Sequence, residues 1–221
     1  AVGEKGYRQI DINLGCPFPM IAGKHKGAGM LLYPAQVAEV LAPIAEYPEI
    51  QFSLKMRLGW ENASECMVLV ELLNTLRLSR IALHARTGKQ QYKGHPDLEA
   101  FQGFYELCQH PLYYNGDIES LSDIRQILTR FPLLKGVFIG RGLLSSPLLA
   151  KEFKGNETFL PEQRMSIYFA FHEELFSAYS QVLQGETQLL VKMKTLWEYF
   201  LPETDRKLLK RIKKSTRLQQ Y

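Results

Sequence analysis

The sequence predicts a parallel α/β sheet followed by a small helical domain. Five short segments share one design, an apolar run of strand length that ends in polar or glycine-rich residues. They are IDINLGCP (residues 10–17), FSLKMRLGW (52–60), RIALHARTG (80–88), LYYNGDI (112–118) and GVFIGRG (136–142). A helix-compatible stretch follows each one. After about Lys154 the strand pattern stops and only helical patterns remain. In parallel sheets, chemistry gathers at the C-terminal ends of the strands. Cys16, Lys55, His84, Arg86, Asn115 and Arg141 are therefore expected to face one cleft.

The first strand is expected to end at Cys16. The glycine- and lysine-rich loop GKHKGAG follows, then a helix over residues 34–47, with Pro34 in its first turn where the missing N–H is not needed. The second strand ends near Arg57. Ser64 can cap a helix to about Leu76, supported by Met67, Val70, Leu73 and Leu76. The third strand ends at His84, and a long polar loop precedes a helix over 98–107. The fourth ends at Asn115, before a helix with Ser120 or Ser122 near its cap, and the fifth ends at Ile139. Helices are expected over 161–183, 187–200 and 205–218. The domain boundaries drawn from this are 1–154 and 155–221. Five strands are too few to close a (β/α)8 barrel. Either the sheet is open, or about three units, on the order of 80 residues, belong to a longer parent chain.

Hydrophobic residues at 46% and charged residues at 23% describe an ordinary globular chain and exclude disordered or fibrous classes. No apolar run is long enough for a bilayer, and the start carries no signal-peptide pattern, so no membrane partner is expected. Three widely spaced cysteines, Cys16, Cys66 and Cys108, suggest no disulfide framework and no metal site, and point to a reducing cytoplasm. The formal net charge is +4, and residues 151–221 hold most of it, with 12 basic against 9 acidic residues.

Cys16 lies between Gly15 and Pro17, in a turn at the functional edge rather than in a core. A thiol is mostly protonated at neutral pH and can act as general acid or as nucleophile. Strand alternation puts Lys55 and Arg57 on one side. His84, Arg86, Lys89 and Lys93, with Tyr92 interleaved, suit an anionic or planar polar ligand. Gly116, Asp117, Gly140 and Arg141 follow two strands directly, where glycine lets main-chain N–H groups approach a phosphate. Seven Lys or Arg lie between Arg206 and Arg217, above an expected stripe of Leu208, Leu209 and Ile212. That run is either a solvated face or a contact for nucleic-acid phosphates.

The segments DINLGCPFP, GAGMLL, KMRLGW, LHARTGKQQYKG, YNGDI and IGRGLL, in this order, resemble the tRNA-dihydrouridine synthase family. The resemblance runs from the first residues to about Leu149 and more loosely through the tail. It implies an FMN-dependent (β/α)8 TIM barrel, here only in part, followed by a helical tRNA-binding domain. It also implies reduction of uridine to dihydrouridine in tRNA, with NADPH reducing the flavin. Cys16 matches the catalytic cysteine, and Asn13 a residue that holds the target uracil. Lys55 and His84 match flavin contacts, and Arg86 a residue near the substrate base. Asn115, Gly116, Asp117, Gly140 and Arg141 match the FMN phosphate region. The family's first strands have no counterpart in this chain. The alternatives are a small-molecule FMN oxidoreductase of dihydroorotate-dehydrogenase type and a non-catalytic RNA-binding fragment. The tRNA position and the oligomeric state are not set by the sequence.

Overall fold

The computed structural model describes residues 5–221. Five parallel strands form one sheet: β1 (Gln9–Leu14), β2 (Gln51–Gly59), β3 (Leu78–Thr87), β4 (Leu112–Asn115) and β5 (Gly136–Phe138). Their spatial order is their chain order. A doubly wound open sheet reverses its order part-way. Sequential order with right-handed crossovers keeps every crossover on one side, as in a (β/α)8 barrel. The sheet is thus an arc of barrel type.

The intervening helices are α1 (Pro19–Ala22), α2 (Pro34–Leu41), α3 (Glu65–Thr75), α4 (Leu98–Leu107) and α5 (Leu121–Arg130). They are followed by α6 (Arg141–Ser145), α7 (Leu149–Gly155), α8 (Pro161–Val182), α9 (Glu186–Leu196) and α10 (Arg206–Lys214). Helix α2 stops short of the expected Tyr47. Pro43 has no N–H for an α-helical bond, and residues Ala42–Glu46 tighten into a 3-10 turn. Ser64 precedes α3 without a side-chain cap. The Glu65 carboxylate instead fastens the loop ahead of the helix, accepting from the backbone N–H groups of Trp60, Glu61 and Asn62 at 2.7, 3.1 and 2.8 Å. Asp97 caps α4 through Ala100 N at 2.9 Å. Ser120 and Asp123 cap α5 reciprocally.

Strand β3 runs three residues beyond the expected end at His84. Its apolar side chains, Ile81, Leu83 and Ala85, are fully buried with Leu54, Met56 and Leu58 of β2. Helices α3 and α4 pack against β2 and β3. Phe101 of α4 is fully buried, edge-on to Tyr114 and Phe131 with ring centroids 5.0 Å apart in each case.

Two compact units divide the chain. One holds the residues up to Asp117 together with Ile124–Phe138. The other holds Ile118–Asp123 and Ile139–Tyr221. Residues 139–154 therefore group with the helices. The helical unit has its own core of Leu148, Tyr168, Leu189, Met193, Leu196 and Phe200. The buried Glu152 of α7 pairs with Arg164 of α8, which also donates to Tyr168 Oη at 3.1 Å. Helix α10 differs from its expected stripe, because Leu208 is exposed and only Ile212 is buried. All seven basic residues from Arg206 to Arg217 are exposed. Among the described residues, no helix is long and apolar enough to cross a membrane.

Phe101→Ala is expected to cost about 3–5 kcal/mol, the range for emptying a buried aromatic site. A urea denaturation curve followed by near-UV signal checks it.

Candidate active site

Side chains alternate between the two faces of each strand. With the apolar set under the helices, the register brings the polar set together on the other face. Asn13 pairs with Lys55, Arg57 with His84, and His84 with Asn115. Four basic side chains, Lys55, Arg57, His84 and Arg86, thus lie near the strand ends on one face, beside the carboxylates of Asp11 and Asp117.

The Cys16 turn is braced from two sides. Asn13 Oδ1 accepts from Gly15 N at 2.9 Å, and Cys16 O accepts from Ala28 N at 3.0 Å. Gly27 lies directly against it. Its φ is +56°, and an added Cβ would fall 2.8 Å from Cys16 Cβ and from Cys16 O. Only glycine fits there. Cys16 is partly accessible, whereas Cys66 is fully buried, and burial pushes its thiol up to about 12.

Arg86 is 1% exposed. Both its terminal nitrogens grip the Asp117 carboxylate. It also donates to Gly94 O at 2.6 Å and to Lys93 O at 3.3 Å. Arg57 donates to Gly15 O, Thr87 O and Gln91 O at 3.1, 2.8 and 2.7 Å. The loops after β2 and β3 are also joined directly, Gly88 N to Gly59 O and Lys89 N to Trp60 O at 2.7 and 2.9 Å.

Lys55 is half-buried and has no hydrogen bond or ion pair to protein among the described residues. Burial, then the charge of Arg57, holds its ammonium below the usual lysine range. His84 lies 3.4 Å from Arg86 Nη1 through its Nε2. Arginine can only donate, so Nε2 is the acceptor and the ring proton sits on Nδ1. Burial, followed by the charges of Arg57, Lys55 and Arg86, pushes the imidazole down to about 3. His84 is therefore neutral at physiological pH. Among the described residues, Lys55 Nζ and His84 Nδ1 are two donors without a hydrogen-bond partner, on adjacent strands.

Asn115 donates its amide to Phe138 O at 2.8 Å, tying β4 to β5. Gly116 has φ +146°, and an added Cβ would meet Tyr114 Oη at 3.0 Å. Gly140 and Arg141 belong to the helical unit, where they open α6. In the sequence, alternation pairs Arg57 with Lys55 but gives it no role, and Gly27 stands out only within its loop. Alternation places Arg57 on the site face, but its partners are main-chain carbonyls, which leave no mark in a sequence.

A profile of the family described as dihydrouridine synthase matches residues 1–220. The chain belongs to the dihydrouridine synthase family. Among its curated relatives is tRNA-dihydrouridine synthase B of Vibrio vulnificus, 28% identical over 163 residues, covering 72% of this chain and 50% of the relative. The enzyme of the same name from Vibrio cholerae is 29% identical over 167 residues, covering 74% and 52%. This family member thus spans about half the length of the curated relatives it matches.

A neutral buried histidine gives a pH dependence of known sign. The unfolded chain takes up the proton near 6.5 and the folded chain only near 3, so the unfolded state binds more protons between those values. Stability should fall as pH drops from about 6.5 to about 5.3, about one unit above the usual carboxylate values. His84→Gln should flatten that part of the profile. Urea midpoints across this range, for both proteins, check it.

Proposed function

We propose that this chain is the catalytic arc and helical tail of a tRNA-dihydrouridine synthase that reduces uridine in tRNA, with FMN as cofactor and NADPH as reductant. The pair of unengaged donors, Lys55 Nζ and His84 Nδ1, carries the reading. They form a cationic and neutral donor pair on a face with few carboxylates, which suits the nitrogen and oxygen atoms of an isoalloxazine ring. The residues present fit that group. FMN, when bound, supplies hydride chemistry that no side chain of this chain can perform.

The uracil C5=C6 bond is conjugated to the C4 carbonyl. Hydride arriving at C6 leaves negative charge shared between C5 and the C4 oxygen, and C5 then needs a proton. Cys16 Sγ is the proton donor, re-protonated afterwards from solvent. Asn13 orients the base, since Gly15 N fixes its Oδ1 and leaves its Nδ2 donors for a uracil oxygen. Lys55 stabilises the developing charge. Arg86, with its donors already engaged, acts on the site through His84 and Asp117. Gly116, at the end of β4, is proposed for the cofactor phosphate on the family pattern. The seven exposed cations of the C-terminal segment support contact with tRNA phosphates.

Absorbance of the purified full-length protein should reveal a flavin, and released cofactor should identify as FMN. Its absence after reconstitution would overturn the reading. Cys16→Ala should retain FMN and its reduction by NADPH, but lose about 10²–10⁴-fold in the rate of uridine reduction, the usual contribution of a general acid. Stopped-flow oxidation of the reduced enzyme by tRNA measures it. Binding of tRNA should weaken with salt. Changing Lys207, Lys210 and Lys214 to Gln should lower the log–log slope by roughly 0.7–0.9 for each phosphate no longer neutralised. A filter-binding series from low to high salt reads this.

A further inference from the structure

Arg57 is 2% exposed and has no carboxylate within ion-pair distance among the described residues. Burying a guanidinium without a counter-charge is costly, and an apolar side chain could fill the space without that cost. What the arginine gains is specific. Its Nε–H meets Gly15 O, one residue before Cys16. Its Nη1 meets Thr87 O at the end of β3 and Gln91 O in the loop that follows. Gln91 has φ +53°, a left-handed conformation uncommon for a non-glycine residue. The ring of the next residue, Tyr92, stands over the guanidinium with its centroid 5.6 Å away. One side chain therefore bonds directly to the Cys16 turn and to the loop after β3. A lysine head is too compact to span the three carbonyls.

We propose that Arg57 is a positioning residue that locks the Cys16 turn to the loop of residues 88–97. The placement of the thiol then follows the seating of the neighbouring loop. A polynucleotide that contacts the Gln91–Tyr92 segment sharpens the position of the proton donor without touching it. The turnover part of this inference rests on the function proposed above; the mechanical link does not.

Hydrogen exchange of the full-length, flavin-loaded protein tests the link. In the unmodified protein, the amides of Gly15 and Cys16 should share one opening equilibrium with those of Gln91 and Tyr92. Arg57→Lys should speed exchange in both segments together by about tenfold, the equivalent of one missing hydrogen bond. In the same variant, oxidation of the reduced enzyme by tRNA should slow by about a hundredfold, as expected for a displaced reacting group. Flavin reduction by NADPH should stay unchanged. Independent opening of the two segments in the unmodified protein would overturn the proposal, and that arm holds even if the variant does not fold. Loosening of only one segment, or of both with normal turnover, would also overturn it. An unmodified enzyme unable to reduce tRNA would overturn the proposed function instead, with the exchange result still deciding the link.

Discussion

Two guanidinium groups buried side by side on one face of a sheet need oxygen atoms aimed at them. Desolvation costs several kcal/mol for each ion unless such partners are in place. The loops at the strand ends are shaped by that demand. Gln91, Gly94 and Asp117 all have left-handed φ values, of +53°, +63° and +40°. Each supplies an oxygen to Arg57 or Arg86. Left-handed non-glycine residues cost about 1–3 kcal/mol apiece and persist only where the surroundings over-determine them. Here the arginines over-determine them. Burial first, and then these charges, keep His84 neutral, while burial and the charge of Arg57 hold Lys55 below the usual lysine range, so the hydrogen-bonding character of the site follows in part from the forks as well.

The strands are legible because an apolar set and a polar set alternate in them at period two, and the polar set shares one face. The end of β3 is not legible. HART looks like the start of a loop, but Thr87 pairs with Gly59 of β2 and stays in the sheet. Helices are located correctly where apolar spacing and caps agree, as in α4. They are overextended where a proline stands inside the apolar pattern, as in α2. The expected stripe on α10 fails at Leu208 because helical spacing does not say which element lies beneath it. Cys16, Lys55 and His84 are visible as reactive types at strand ends. Arg57 and Gly27 act on main-chain atoms and steric room, which depend on the folded neighbour rather than on any local pattern.

The helical unit follows a different logic from the sheet. Aromatic rings pack in and around its core, with Trp197, Phe200, Phe171 and Tyr168 in edge or tilted contact. Its polar interior is closed by the Glu152–Arg164 pair with Ser146 and Tyr168. None of the seven cations near its C-terminal end is used in that core. Asp205 caps α10 by accepting from Lys207 N and Leu208 N, both at 3.0 Å, which holds a highly charged helix in place despite its single buried residue.

Each of β2 to β5 hydrogen-bonds to the strand just before it in the chain. Among these five strands no pairing waits for a distant segment, so closing each new ladder requires ordering only one crossover. Loop-closure entropy grows slowly with length, and its cost is here divided into small steps. A chain emerging from a ribosome at about 5–20 residues per second could add each strand to the growing edge as soon as its crossover helix is out. The sheet is thus suited to vectorial assembly, and its order of synthesis is also its order in space.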